Sequence, residues 1–342
     1  MQLRHLAATL ILFAAALAGP AIAQVTVVDQ AQDQATAPAE PSPPCGTRPL
    51  SIARMAWPSA ELLAEIHARI LTRSFGCTAE VVPGDLAATA SAMGSTGQPA
   101  LAPEMWPTRA VEVWNAGIEA QMLRQAAPTY AETQLEGWYV PDYLAAALPQ
   151  PITAADLAAA LPTFAAGNPV RFISCPADWA CSVINRNLVA AYGLTDLVEL
   201  VEPANRFEMD TLLAEAVSRS EPIIFYYWAP NAVLSQFNFL PLDMGDYAEE
   251  AAQCLARRAC PSPEPSAFAA EPVVIAVSEW VFIEAPQVAD YLQRASLPLA
   301  EMNAMLAQLS ETGSTVEGVA DRFVAERREV WEPWVGAALP SP

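Results

Sequence analysis

The stretch Phe172–Tyr192, FISCPADWACSVINRNLVAAY, decides how the rest of the chain is read. It starts in a short apolar strand over Val170–Ser174, turns through a Cys175-to-Cys181 loop carrying Trp179, and continues as a helix over Cys181–Tyr192 that stops at Gly193. Strand, tight loop and helix together make one unit of an α/β fold. In such folds ligands sit beyond the carboxyl ends of the strands.

The same rhythm recurs on both sides. Downstream, Leu197–Val201 reads as a strand, Glu208–Ser218 as a helix and the apolar Pro222–Trp228 as a strand. Upstream, Leu50–Ala56 reads as a strand, and Pro58-Ser59 opens a helix with Leu62, Leu63, Ile66, Ile70 and Leu71 on one stripe. That helix ends at Gly76, and Ala79–Val82 is the next strand. Residues 84–108 hold a small-residue helix, a turn at Gly94 and Gly97 without phosphate-loop spacing, and a short strand that delivers Trp106. Gly137–Tyr143 is extended, Asp243–Pro272 reads as an irregular excursion, Val273–Ser278 is a buried strand and Pro286–Ala338 is helical. The expectation is an α/β protein with largely parallel sheets.

At 342 residues and 53% hydrophobic, the chain is long enough for two lobes with large cores. Residues 1–23 have the form of a secretory signal, with Arg4 and His5 before an apolar run and Ala21-Ile22-Ala23 as the cleavage site. Residues 24–44, rich in Pro, Ala, Gln and Asp, read as a disordered leader. Pro20 stands where a lipoprotein signal needs cysteine, so the mature protein is expected to be soluble and periplasmic. A formal net charge of −21 repels nucleic acid and anionic lipid. Six cysteines in an exported chain imply disulfides, expected as Cys45–Cys77, Cys175–Cys181 and Cys254–Cys260. No metal site is expected, because His67 is the one histidine beyond the signal and no C-x-x-C pair exists. No cofactor is implied either.

Three tryptophans, Trp106, Trp179 and Trp228, stand where predicted strands run out. Three convergent indoles suit a quaternary ammonium group, which has a permanent charge and no N–H to donate. Each well-placed ring contributes about 0.5–2 kcal/mol. The Cys-closed loop also sets the backbone N–H groups of Ala180 and Cys181 at a helix start, which attracts a carboxylate. Tyr226 and Tyr227 alternate along their strand, so at most one faces the ligand, and Tyr227 is assigned to it. Asp178 and Glu104 either are solvated surface carboxylates or complement a cation directly.

At these residues the chain resembles the periplasmic substrate-binding components of glycine betaine/proline-type ABC importers. The resemblance rests on SCPADWAC with INRNLVAAYGL, EPIIFYYWAPNAV, GSTGQPALAPEMWP, LPLAEMNAMLAQL and VWEPWVGAAL, and runs from about Ser51 to the C-terminus. It implies a two-lobe, type II-like periplasmic binding protein fold with the ligand in the cleft. The lobes would be 45–137 with 272–342, and 138–271. It also implies a permease and an ATPase as partners, a role in osmoprotection, and Trp106, Trp179 and Trp228 as the box. Members place a histidine four residues after the first box tryptophan. Here position 110 is Ala, and Arg109 either takes over that contact with a bidentate one or marks a different ligand.

Enzymatic readings lack parts. His67 lies mid-helix with no nucleophile motif around it, and no spacing singles out a carboxylate pair. The expectation is a monomeric, non-enzymatic binding protein for glycine betaine or a related quaternary amine. Two alternatives stand beside it: a periplasmic ligand-sensing subunit presenting choline-like cations to a membrane receptor, and a secreted hydrolase.

Overall fold

A computed structural model describes residues 43–145, 148, 152–164 and 168–336. The signal sequence and nearly all of the leader lie outside these residues. Among these residues ten strands form two five-stranded sheets. The first contains β1 (Leu50–Met55), β2 (Ala79–Gly84), β3 (Leu101–Met105), β4 (Leu123–Pro128) and β10 (Val274–Ser278), in the order β2-β1-β3-β10-β4. The second contains β5 (Glu136–Pro141), β6 (Val170–Ile173), β7 (Val198–Val201), β8 (Ile223–Trp228) and β9 (Phe239–Pro241), in the order β7-β6-β8-β5-β9.

Each sheet is mixed. β10 pairs antiparallel with both β3 and β4, and β5 pairs antiparallel with both β8 and β9, while the remaining pairings are parallel. The reversed strand is in each case the one that arrives from the other sheet. A chain leaving the carboxyl end of β4 enters the second sheet from the facing edge, so it runs against the strands built there. Those carboxyl ends therefore face the gap between the lobes.

Alternation fixes what each sheet covers. Leu50 and Ile52 enter one core beside the helix Pro58–Phe75, whereas Ala53 and Met55 enter another beside Trp114 and Ile118. The stripe Leu62, Leu63, Ile66, Ile70 and Leu71 is fully buried, each side chain contributing about 1.5–3 kcal/mol. The helix opens on Pro58 at its first turn and closes on Gly76 at φ 69°, the left-handed position that glycine occupies without a Cβ penalty. His67, on this helix, is buried beside Trp334 with its Nδ1 2.6 Å from the Tyr291 hydroxyl. Burial pushes its pKa down to about 3, so it is a neutral core residue.

Two local readings are corrected, and one strand is added. Gly94 belongs to the helix Leu86–Thr96 rather than to a turn. There it lets Gly117 approach so closely that an added Cβ would meet its Cα at 3.0 Å. The excursion after Asp243 contains the helix Glu249–Leu255, whose first-turn acids Glu249 and Glu250 favour the positive end of the helix dipole. β4, LRQAAP, is weak in strand-forming residues and is held by the β10 ladder. The disulfides Cys45–Cys77, Cys175–Cys181 and Cys254–Cys260 are all formed. No described helix is long and apolar enough to cross a membrane.

Candidate binding site between the lobes

A cavity of about 960 Å³ opens where the strand ends of both sheets converge. Four indoles line it: Trp57 just after β1, Trp106 just after β3, Trp179 in the loop after β6, and Trp228 at the end of β8. The first two come from one lobe and the last two from the other. Trp57 was not singled out from sequence, yet it carries the same signal as Trp106, a tryptophan at a strand end followed directly by proline.

On the second lobe, Trp179 meets Trp228 edge-on at 5.3 Å, and Trp228 stacks on Tyr227 at 4.6 Å. Trp179 is 36% exposed, but its backbone is held: its N–H donates to the Pro176 carbonyl inside the Cys175–Cys181 ring, and it is the N-cap of the helix Ala180–Ala191. Ala180 and Cys181 line the cavity from the first turn of that helix.

Not every predicted site residue is in place. Tyr227 points into the core, where its hydroxyl donates to Asp210 at 2.5 Å, and its neighbour Tyr226 lines the cavity instead. Alternation allowed only one of them to face the gap, and the packing of the sheet selects the other. Asp178 is exposed and outside the cavity lining. Arg109 does line the cavity, but its guanidinium grips Glu271 through two hydrogen bonds of 2.9 and 3.0 Å and lies 4.3 Å over the Trp106 ring. Its fork is thus already spent on a carboxylate of the chain itself.

Glu104 faces the cavity from the end of β3 with 1% exposure. Its Oε1 accepts from Ser59 Oγ at 3.1 Å and from Trp106 Nε1 at 3.3 Å, while Oε2 has no hydrogen-bond partner. Burial raises its pKa to about 7, against the pull of the Ser59, Trp57, Tyr130 and Trp106 donor groups. Trp57 and Tyr130 are near enough to soften the shift without reaching good bonding geometry. Glu136, on β5, also lines the cavity, and burial raises its pKa as well, with the Tyr226 hydroxyl opposing.

Glu104 gives the free protein a defined pH response. Its folded-state pKa lies above its unfolded value, so between about pH 4.5 and 7 the native state holds a proton that the unfolded chain has released. This contribution to stability is complete below that window and is lost as pH rises through it, by roughly 3 kcal/mol. Denaturant unfolding of wild type and E104Q between pH 5 and 8 should show a clearly larger loss in wild type, E104Q keeping only the part that Glu136 and other groups supply; parallel curves would contradict the buried charge.

Among the described residues no cluster of His, Cys, Asp or Glu is arranged to hold a metal, and no cysteine is free. Two α/β lobes with an aromatic cavity at their facing strand ends define a two-lobed ligand-binding protein. Residues 48–326 match the substrate binding domain of ABC-type glycine betaine transport systems, and the chain belongs to that family. The family is one of extracytoplasmic transport binding proteins, not an enzyme class. No curated protein matches the chain in sequence. Among solved structures, apo YehZ from Escherichia coli is similar at 16% identity and a TM-score of 0.57, covering 82% of this chain and 99% of that one. A structure described as a glycine betaine/carnitine/choline ABC transporter is similar at 10% identity and a TM-score of 0.52, covering 82% and 98%. ProX, the glycine/betaine/L-proline-binding protein from Borrelia burgdorferi, aligns at 16% identity and a TM-score of 0.48, covering 85% and 97%.

Proposed function

We propose that this protein captures glycine betaine or a related quaternary ammonium compound in the cavity between its lobes and delivers it to the permease and ATPase of an ABC importer. Export through residues 1–23 would place it in the periplasm. The observation that carries the reading is the convergence of four indoles, two from each lobe, on one cavity of ligand size. Trp106, Trp57, Trp179 and Trp228 enclose the methylated ammonium, whose three methyl groups bury apolar surface while the ring faces attract its charge. The N–H groups of Ala180 and Cys181 are open to an acceptor on the ligand, because the first turn of a helix has no intrahelical partners for them. Closing the lobes brings the two indole pairs together, and shape complementarity is completed only then.

Titration calorimetry of the oxidised mature protein against glycine betaine, proline betaine, choline, carnitine and proline tests this, with tryptophan emission followed in parallel. At least one methylated amine is expected to bind with a dissociation constant on the order of micromolar and to change the emission. Silence across the whole panel would reject the reading.

A further inference from the structure

The charges around the cavity assign a narrower substrate class, an inference that rests on the capture of a quaternary ammonium compound proposed above. Glu104 is buried, lines the cavity and has one oxygen without a hydrogen-bond partner. Its contacts are neutral: Ser59 and Trp57 at the start of the helix Pro58–Phe75, Trp106 beyond its own strand, and Tyr130 after β4. Among the described residues no arginine forms an ion pair with it. Arg109, the cation that feels its charge, is held by Glu271 and has Glu136 as a further acidic neighbour. The other basic lining residue, Arg206, is 43% exposed and stands 3.9 Å from Asp210. Counted with these partners, the cavity's surroundings carry four acids, Glu104, Glu136, Glu271 and Asp210, against two arginines.

We propose that Glu104 is the counter-ion for the ligand's ammonium group and the residue that sets specificity, so that the cavity takes quaternary ammonium compounds of net positive charge, such as amino alcohols, ahead of zwitterionic betaines. A buried carboxylate without a cationic partner is a costly arrangement in the empty protein. A cation seated against Trp57 and Trp106 lies beside that carboxylate and supplies the missing charge. A betaine brings the same ammonium with its own carboxylate a few bonds away, which cancels most of the gain and sets two anions near each other. The guest's charge favours ionised Glu104, so any proton the carboxyl holds leaves as a net cation binds.

The test uses choline, tetramethylammonium and glycine betaine, titrated into wild type, E104Q, E104D and E136Q at pH 6 and pH 8. At pH 7 the titrations are repeated in two buffers of different ionisation enthalpy. Wild type is expected to prefer choline to glycine betaine, to bind choline more weakly at pH 6 than at pH 8, and to release a fraction of a proton per choline bound. E104Q should lose roughly tenfold in affinity for both net cations, change little for glycine betaine and lose the proton release. E104D should keep the preference, and E136Q should keep the proton release. Equal losses for all three ligands in E104Q, with no proton release in wild type, would make Glu104 merely structural and overturn the proposal. A wild-type preference for glycine betaine would overturn it too while leaving the capture of quaternary amines intact. No binding of any of the three by folded protein would remove both. If circular dichroism shows E104Q unfolded, the wild-type ligand order and proton release decide.

Discussion

Replacing Trp179 and Trp228 together with alanine is expected to weaken the binding of quaternary ammonium ligands by about 2–4 kcal/mol, or roughly 30- to 1,000-fold. The two rings touch at 5.3 Å, and Trp228 is braced from behind by Tyr227. Each single replacement should therefore also disturb its neighbour, and the double loss should differ from the sum of the singles. Trp179 has particular leverage. The Cys175–Cys181 ring and the following helix restrain its backbone, so little chain ordering remains to be offset on binding. Calorimetry of the singles and the double against the tightest ligand measures the coupling. A double variant within about twofold of wild type would mean that the second lobe's indoles are packing alone.

Trp138→Ala should destabilise the protein by about 3–5 kcal/mol, the cost of emptying a large fully buried site. Trp138 has no exposed surface, meets Phe172 edge-on at 4.7 Å and leans on Tyr192 at 5.6 Å. Its Nε1 donates to Asn185 Oδ1 at 2.8 Å, and Asn185 Nδ2 donates to Ser174 Oγ at 2.9 Å. This buried chain ties β5 to the loop after β6 and to the helix Ala180–Ala191, which carries the cavity's second-lobe wall. The loss should therefore appear twice, as a lower urea midpoint and as weaker ligand binding at temperatures where the variant is still folded. W138F separates the parts, because it refills most of the volume but leaves Asn185 Oδ1 unpaired, at a cost of about 1–3 kcal/mol. A loss under 1 kcal/mol for W138A would show that this core can collapse around the gap.

Much of the fold was legible in the sequence because its signals are local. Apolar stripes, Pro58 at a helix start and Gly76 at its end fixed the first helix, and the Cys175–Cys181 and Cys254–Cys260 loops are six residues long in separation. The strand-end tryptophans were legible for the same reason, since a strand's carboxyl end can be located from its apolar run. Trp57 went unread although it obeys the rule. The strand β4 and the helix Val111–Glu119 went unread because the sequence between 109 and 136 carries little contrast between apolar and turn residues.

The residues that tune the site were a different matter. Alternation says that Tyr226 and Tyr227 point opposite ways, but only the sheet's seating on its helices sets which one meets the cavity. Arg109 looks available in sequence, and its partner Glu271 stands 162 positions away. Sequence left Glu104 and Asp178 equally open to a solvated or a cation-facing role, and Glu104 differs because Ser59, Trp57 and Tyr130 close over it. The sequence by itself determined the α/β class, the two short-range disulfides Cys175–Cys181 and Cys254–Cys260 and the aromatic character of the site, because periodicity, short cysteine loops and strand ends are properties of neighbouring residues. Only the tertiary structure decided which charges face the ligand, because pairing and desolvation depend on groups brought together from distant parts of the chain.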